Sequence, residues 1–169
     1  SATGAWQEAP NKKNHFEDHH YKIDISKKQT EGLRKILEKS ARFFLESEEC
    51  RPAREAHPDN WRSLESMSTY QFLGIKIYAV PDFAYIDKNQ LLHIWDWKTG
   101  MQREEDIFQL HSYALYACEK WQSDPDQIML HAAYLKEEKV ISMEADFGVL
   151  GDVQDKMSAS VKEMMDVHF

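Results

Sequence analysis

The chain has 169 residues, 42% of them hydrophobic and 30% charged, enough to bury the core of one domain without cross-links. A formal net charge of −8 argues against a protein that merely coats nucleic acid, because such binding rests on Lys and Arg neutralising phosphates. No apolar run approaches a membrane span, no signal-peptide pattern opens the chain, and Cys50 and Cys118 alone cannot supply a disulfide framework, a structural zinc site or a four-thiolate iron–sulfur cluster. A soluble, intracellular α/β protein is therefore expected.

Residues 1–20 mix Gly, Pro and charge without a sustained period and are expected to be poorly ordered, leaving residues 21–169 as one domain. His15, His19 and His20 stand out there; His15 and His19 would share a helix face, although a solvated cluster explains them equally well. From Ser26 or Thr30 to about Glu49, Leu33, Ile36, Leu37, Phe44 and Leu45 recur at three- and four-residue steps, which predicts an amphipathic helix packed on a sheet. Arg51, Pro52, Arg54, His57, Pro58 and Asp59 then form a connection rich in breakers.

After Trp61 the period shifts towards two. Strands are predicted within residues 65–72, over 75–86 after a turn at Gly74, and over 91–97 before Thr99-Gly100. A helix over 104–121 follows, opened by Glu104, Glu105 and Asp106 at the positive end of its dipole. Two strands, 128–135 and 140–144, and a helix from about Asp152 close the chain. The acidic excess falls after residue 62, in the half that carries the most informative stretch.

That stretch is residues 80–113, VPDFAYIDKNQLLHIWDWKTGMQREEDIFQLHSY. Side chains alternate along a strand, so Asp96 and Lys98 share one face and Trp95 and Trp97 the other. If the hairpin turns through Lys88, Asn89 and Gln90, with Asn89 in the left-handed conformation, Asp87 opposes Leu91 and Asp82 falls opposite Asp96. Two ionised carboxylates about 5 Å apart across a strand pair are comfortable only when they share a proton or a cation. Open oxygen ligands suit Mg2+ or Mn2+, which would polarise a phosphate while Lys98 orients a water or stabilises developing charge. Pro81 cannot donate to a sheet ladder, so the strand is expected to bend there. Gln109 and Tyr113, four residues apart, share a helix face distinct from that of Leu110, Ala114, Ala117 and Trp121.

A plainer reading exists for each residue. Asp82 serves as a strand-end carboxylate, Asp96 and Lys98 as a surface ion pair, Gln109 as the capping partner of Asp106, Tyr113 as core and the tryptophans as packing. Against it stands the occurrence of all five polar residues in the order and spacing that one site requires.

Pro81-Asp82, then Asp96-Trp97-Lys98-Thr99-Gly100, then Gln109-Leu110-His111-Ser112-Tyr113 resemble the PD-(D/E)xK nuclease superfamily, specifically its RecB-like branch. The resemblance implies a restriction-endonuclease-like α/β core, with a mixed four-stranded sheet between helices. It also implies a Mg2+- or Mn2+-dependent deoxyribonuclease in which Asp82, Asp96 and the Trp97 carbonyl hold the ion, Lys98 assists the attacking water, and Gln109 and Tyr113 complete the site. An exonuclease acting on DNA ends or single strands is the leading expectation. A structure- or site-specific endonuclease, or a module that binds without cleaving, are the alternatives. Many members add an upstream His within Gly-x-x-x-His; that pattern is missing here, and His15, His19, His20, His57, Glu46 and Glu65 stand as candidates. The chain carries no helicase motor, so coupling to unwinding would need a helicase or other DNA-processing partner.

Overall fold

The computed structural model describes residues 26–167. The described residues fall into two compact units, divided between Glu38 and Lys39. The expected disorder of residues 1–20 and the three histidines there lie outside the described residues.

Helix α1 (Lys27–Glu46) starts at Ser26, whose Oγ accepts the Gln29 N–H at 3.2 Å while Gln29 Oε1 accepts the Ser26 N–H at 3.0 Å. That reciprocal pair is a capping box, so the earlier of the two predicted starts holds. In the first unit, Arg34 and Glu38 form an exposed ion pair at 2.7 Å, and Leu33 and Leu37 are 59% and 64% exposed. Packing is carried further along the helix, where Phe43 is buried and Phe44 meets the Trp97 ring edge-to-face at 5.3 Å. A short helix, α2 (Arg51–Arg54), follows.

The second unit is built on a five-stranded mixed sheet. Its strands are β1 (Trp61–Leu64), β4 (Phe83–Ile86), β5 (Leu92–Lys98), β6 (Ile128–Tyr134) and β7 (Lys139–Glu144), side by side in that order. Only β5 and β6 are parallel, and helix α3 (Glu104–Trp121) supplies the long crossover such a pair needs. Strands β2 (Ser68–Phe72) and β3 (Ile75–Ala79) form a separate hairpin, and helix α4 (Phe147–Val167) ends the described chain.

Three expectations need correction. The strand predicted over 75–86 is two strands in different sheets, because Val80, Pro81 and Asp82 break the ladder where a mere bend was expected. Residues 61–64, placed outside the strands by sequence, form β1, which pairs with β4 and makes the sheet five-stranded rather than four. Helix α4 starts five residues early because Asp146 Oδ1 accepts the Val149 N–H at 3.0 Å, a cap that overrides Gly148 and Gly151.

One face of the main sheet, with Ala84, Leu92, Ile94, Leu130 and Ala132, packs against Leu110, Ala114 and Ala117 of α3 and Leu150 and Val153 of α4. The other face carries a row of stacked rings, Tyr85 on His93 at 4.8 Å, His131 on Trp95 at 4.1 Å and Trp95 on Trp97 at 5.1 Å. Within it His93 Nδ1 lies 2.9 Å from His131 Nε2, and His131 Nδ1 lies 2.8 Å from Ser142 Oγ. Asp87 sits 3.7 Å from His93 Nε2.

Burial pushes both imidazoles below their usual range, His131 to about 3 with His93 adding to the effect, while Asp87 partly opposes the shift in His93. Groups whose folded pKa is depressed stabilise the fold above their unfolded pKa and lose that contribution as pH falls towards the folded value. Stability should therefore decline below about pH 6.5 by ~1.4 kcal/mol per pH unit on account of His131, with His93 acting in the same direction. Urea midpoints measured from pH 7 to 5 should show this slope, and His131→Phe should flatten it.

Cys50 and Cys118 are free, and burial raises both thiols above their usual pKa, as expected of structural cysteines. Among the described residues no helix is long and apolar enough to cross a membrane.

Candidate active site

The break before β4 and the end of β5 lie side by side. In the antiparallel register Phe83 faces Trp95 and Ile86 faces Leu92, so one step further Asp82 faces Asp96. The hairpin sets this register as expected. Asp87 N–H donates to the Leu91 carbonyl at 2.9 Å, and Asp87 Oδ1 accepts the Asn89 and Leu91 N–H groups at 2.8 and 2.9 Å. The left-handed residue is Gln90, at φ +67°, rather than Asn89, and its N–H closes the turn on the Asp87 carbonyl at 3.1 Å.

Buried Pro81 has no N–H to leave unpaired, and beyond it Asp82 reaches across to β5, where Oδ2 accepts the Trp97 N–H at 2.7 Å. One carboxylate oxygen thus ties the two strand ends together. On β5, Asp96 and Lys98 share the face covered by α3, as strand parity predicts, and Trp95 and Trp97 pack on the other. Asp96 is only 3% exposed; its Oδ2 lies 2.7 Å from Lys98 Nζ, an ion pair outside the angular range of a hydrogen bond.

Lys98 Nζ also donates to Gln109 Oε1 at 2.6 Å, and Gln109 Nε2 donates to the Tyr113 hydroxyl at 2.8 Å. The four-residue spacing on α3 therefore makes a polar chain that ends on the β5 ammonium. Tyr113 is at once part of this chain and buried in the core. Gln109 is not a capping partner: the start of α3 is capped by Asp106, whose Oδ2 accepts the Arg103 N–H at 2.9 Å.

Electrostatics distinguish these groups. Burial raises the Asp96 carboxyl above the usual carboxylate range, and the charges of Asp82 and Asp106 add to the rise against the pull of Lys98. Burial disfavours the Lys98 ammonium, yet Asp96 and then Asp106 more than compensate and hold it above its ordinary value. Burial, with Asp96 and Asp82, raises the Tyr113 phenol, which stays neutral at pH 7. Asp96 and Asp106 thus lie within 4 Å of Lys98, Asp82 adds its charge beside Asp96, and a further cation would relieve the excess negative charge. The donors are hard oxygens. Among the described residues no group of three or more His, Cys, Asp and Glu side chains is arranged as a metal cage. Two carboxylates with carbonyl and water to complete the shell fit magnesium or manganese, which rarely use an all-protein cage.

Of the further ligand candidates, the Glu65 N–H donates to the Asp82 carbonyl at 2.9 Å, beside the site. Glu46 lies exposed at the end of α1. His57 lines a cleft with Asp87 and His93 at the hairpin end of β4 and β5, not with Asp82 and Lys98.

Sequence reasoning missed Asp106 as part of the arrangement. Beyond its capping bond it accepts the buried Tyr134 hydroxyl at 2.8 Å and lies 3.7 Å from Lys98. Its position in the first turn of the helix was visible; its contact with the end of β6 was not. Asp106→Ala should cost about 2–4 kcal/mol, a lost cap together with an unpaired buried hydroxyl. Chemical denaturation measures this, and adding Tyr134→Phe should cost less than the sum of the single changes if the bond is shared.

A mixed sheet flanked by helices, carrying acidic residues and a lysine at adjoining strand ends, is a restriction-endonuclease-like fold. The chain belongs to the PD-(D/E)XK nuclease superfamily, whose family model matches residues 2–166. Membership implies nuclease, and hence hydrolase, chemistry, and enzymes of this superfamily generally use divalent metal ions. No curated protein and no solved structure matches the chain.

Proposed function

We propose that the chain is a Mg2+- or Mn2+-dependent deoxyribonuclease of the RecB-like branch that hydrolyses phosphodiester bonds as an exonuclease at DNA ends or in single strands. The supporting observation is the unbroken contact chain Asp96–Lys98–Gln109–Tyr113, set beside Asp82 at the strand ends, in a chain of this superfamily. Asp82, Asp96 and the Trp97 carbonyl would hold the ion, and Glu65 is the favoured further oxygen donor because its backbone is bonded to that of Asp82. When bound, the ion polarises the scissile phosphate and makes the attacking water more acidic.

The protein's own groups supply position and charge. The Trp97 N–H fixes Asp82 by one oxygen and leaves the other available. Tyr113 accepts the Gln109 amide N–H, which turns the amide oxygen towards Lys98. Bonded to Gln109 and drawn by the charge of Asp96, the Lys98 ammonium keeps donor capacity for the attacking water or for the charge developing on phosphate.

End-labelled linear single- and double-stranded DNA beside closed circles, incubated with Mg2+, Mn2+ or EDTA, tests this reading. Metal-dependent shortening from an end is expected. Cutting of closed circles would make the protein an endonuclease. No metal-dependent cleavage of any substrate would sink the catalytic reading in favour of a binding module.

A further inference from the structure

Immediately across the strand ends from Asp82 and Asp96, on the opposite face of the sheet, lies a pocket of about 420 Å³. Its walls come from separate elements: Phe44 of α1, Arg54 of α2, Trp61 and Leu64 of β1, Phe83 of β4 and Trp97 of β5. The volume lies within the roughly 300–1,000 Å³ of small-ligand sites. Its floor is adjacent in sequence to the polar edge, for Phe83 follows Asp82 and Trp97 separates Asp96 from Lys98.

The rings are held in place. Trp61 is 41% exposed, yet its Nε1–H donates to the Ala56 carbonyl at 3.0 Å and its ring meets Phe83 edge-to-face at 5.3 Å. Phe44 meets Trp97 in the same way at 5.3 Å. Arg54 adds a fixed positive charge, since its Nη1 donates to the Phe44 and Ser47 carbonyls, each at 2.7 Å. Aromatic surface beside a cation, one residue along each strand from the proposed phosphodiester-binding edge, suits an unpaired nucleotide, because every base offers a π-face for stacking.

We infer that this pocket takes one nucleobase of the DNA strand being cut, next to the scissile phosphate, and that the enzyme therefore acts on unpaired nucleotides. The inference rests on the nuclease reading above. Geometry supplies the selectivity: Phe83 and Trp97 point away from the face that carries Asp96 and Lys98. A nucleotide with its phosphate at that edge must swing its base around the strand ends to reach the pocket. An unpaired base does so freely, whereas a base in a duplex must first leave its pair and its stack.

The test uses the full chain with Mn2+ and a short end-labelled single strand in which successive nucleotides are replaced by abasic residues. Native, Trp61→Ala and Trp61→Phe proteins are compared. Loss of the base beside the cut should lower kcat/KM about tenfold for the native and Trp61→Phe proteins and hardly at all for Trp61→Ala. Equal rates of native protein on intact and abasic strands would overturn the pocket while leaving the nuclease reading intact. If no DNA is cut, 2-aminopurine fluorescence decides. Quenching by native and Lys98→Ala proteins, but not by Trp61→Ala, keeps the pocket and removes the nuclease reading; absence of quenching removes both. Self-association that Leu64→Glu abolishes, without base dependence, would assign the pocket to a second copy of the chain and overturn the proposal.

Discussion

Lys98→Ala protein is expected to hydrolyse DNA roughly 10²–10³-fold more slowly than native protein, the usual consequence of removing one preorganised donor from a phosphoryl site. The loss should appear in kcat more than in KM, since in the proposed role the ammonium acts on charge that develops during reaction. Lys98→Arg should recover little: a planar guanidinium cannot replace a compact ammonium pinned at 2.6 Å from Gln109 and 2.7 Å from Asp96. In EDTA the Ala variant should also lose about 1–3 kcal/mol, because Asp96 keeps its burial and its acidic neighbours without its cation. Single-turnover kinetics and urea unfolding separate the two effects. A Lys98→Ala protein with native kcat would remove Lys98 from the chemistry.

The second large effect is expected of the metal. At about 100 times its Kd, a divalent ion that binds only the folded chain adds ~2.7 kcal/mol, a rise of roughly 5–11 °C in Tm for a domain of this size. Asp96→Asn and Asp82→Asn should abolish most of that rise. Without metal, Asp96→Asn should be no less stable than native protein even though it gives up the contact with Lys98. The folded environment holds the Asp96 carboxyl above its ordinary range, so on balance it disfavours the charge that the substitution removes. A site that is uncomfortable when metal-free and relieved by its ligand is a familiar compromise between stability and activity. Equal thermal shifts in native and Asp96→Asn proteins would show that the ion binds elsewhere.

Local chemistry made much of this site legible. Strand parity put Asp96 with Lys98, the turn residues set the hairpin register that brings Asp82 opposite Asp96, and the helical step joined Gln109 to Tyr113. Helix α3 has the predicted bounds because acidic residues open it and a left-handed Gln122 closes it. What failed was non-local. Nothing near residues 75–86 says that β3 belongs to one sheet and β4 to another; that depends on β1, whose four residues are too few to show a period. Two glycines concealed the start of α4, where an Asp146 cap outweighs their poor propensity. The link from Asp106 to Tyr134 spans a helix and a strand, so no window of sequence contains it.

The stacked pair Trp95 and Trp97, with ring centroids 5.1 Å apart, has an optical consequence. Two indoles this close and fixed couple their electronic transitions, and one of them belongs to Trp97, which lies between Asp96 and Lys98 and whose backbone N–H is held by Asp82. Any event that draws Asp82 towards a new partner pulls on that amide and alters the coupling. The protein thus carries a built-in chromophore, and near-ultraviolet circular dichroism should follow any loading of the Asp82–Asp96 edge without a label.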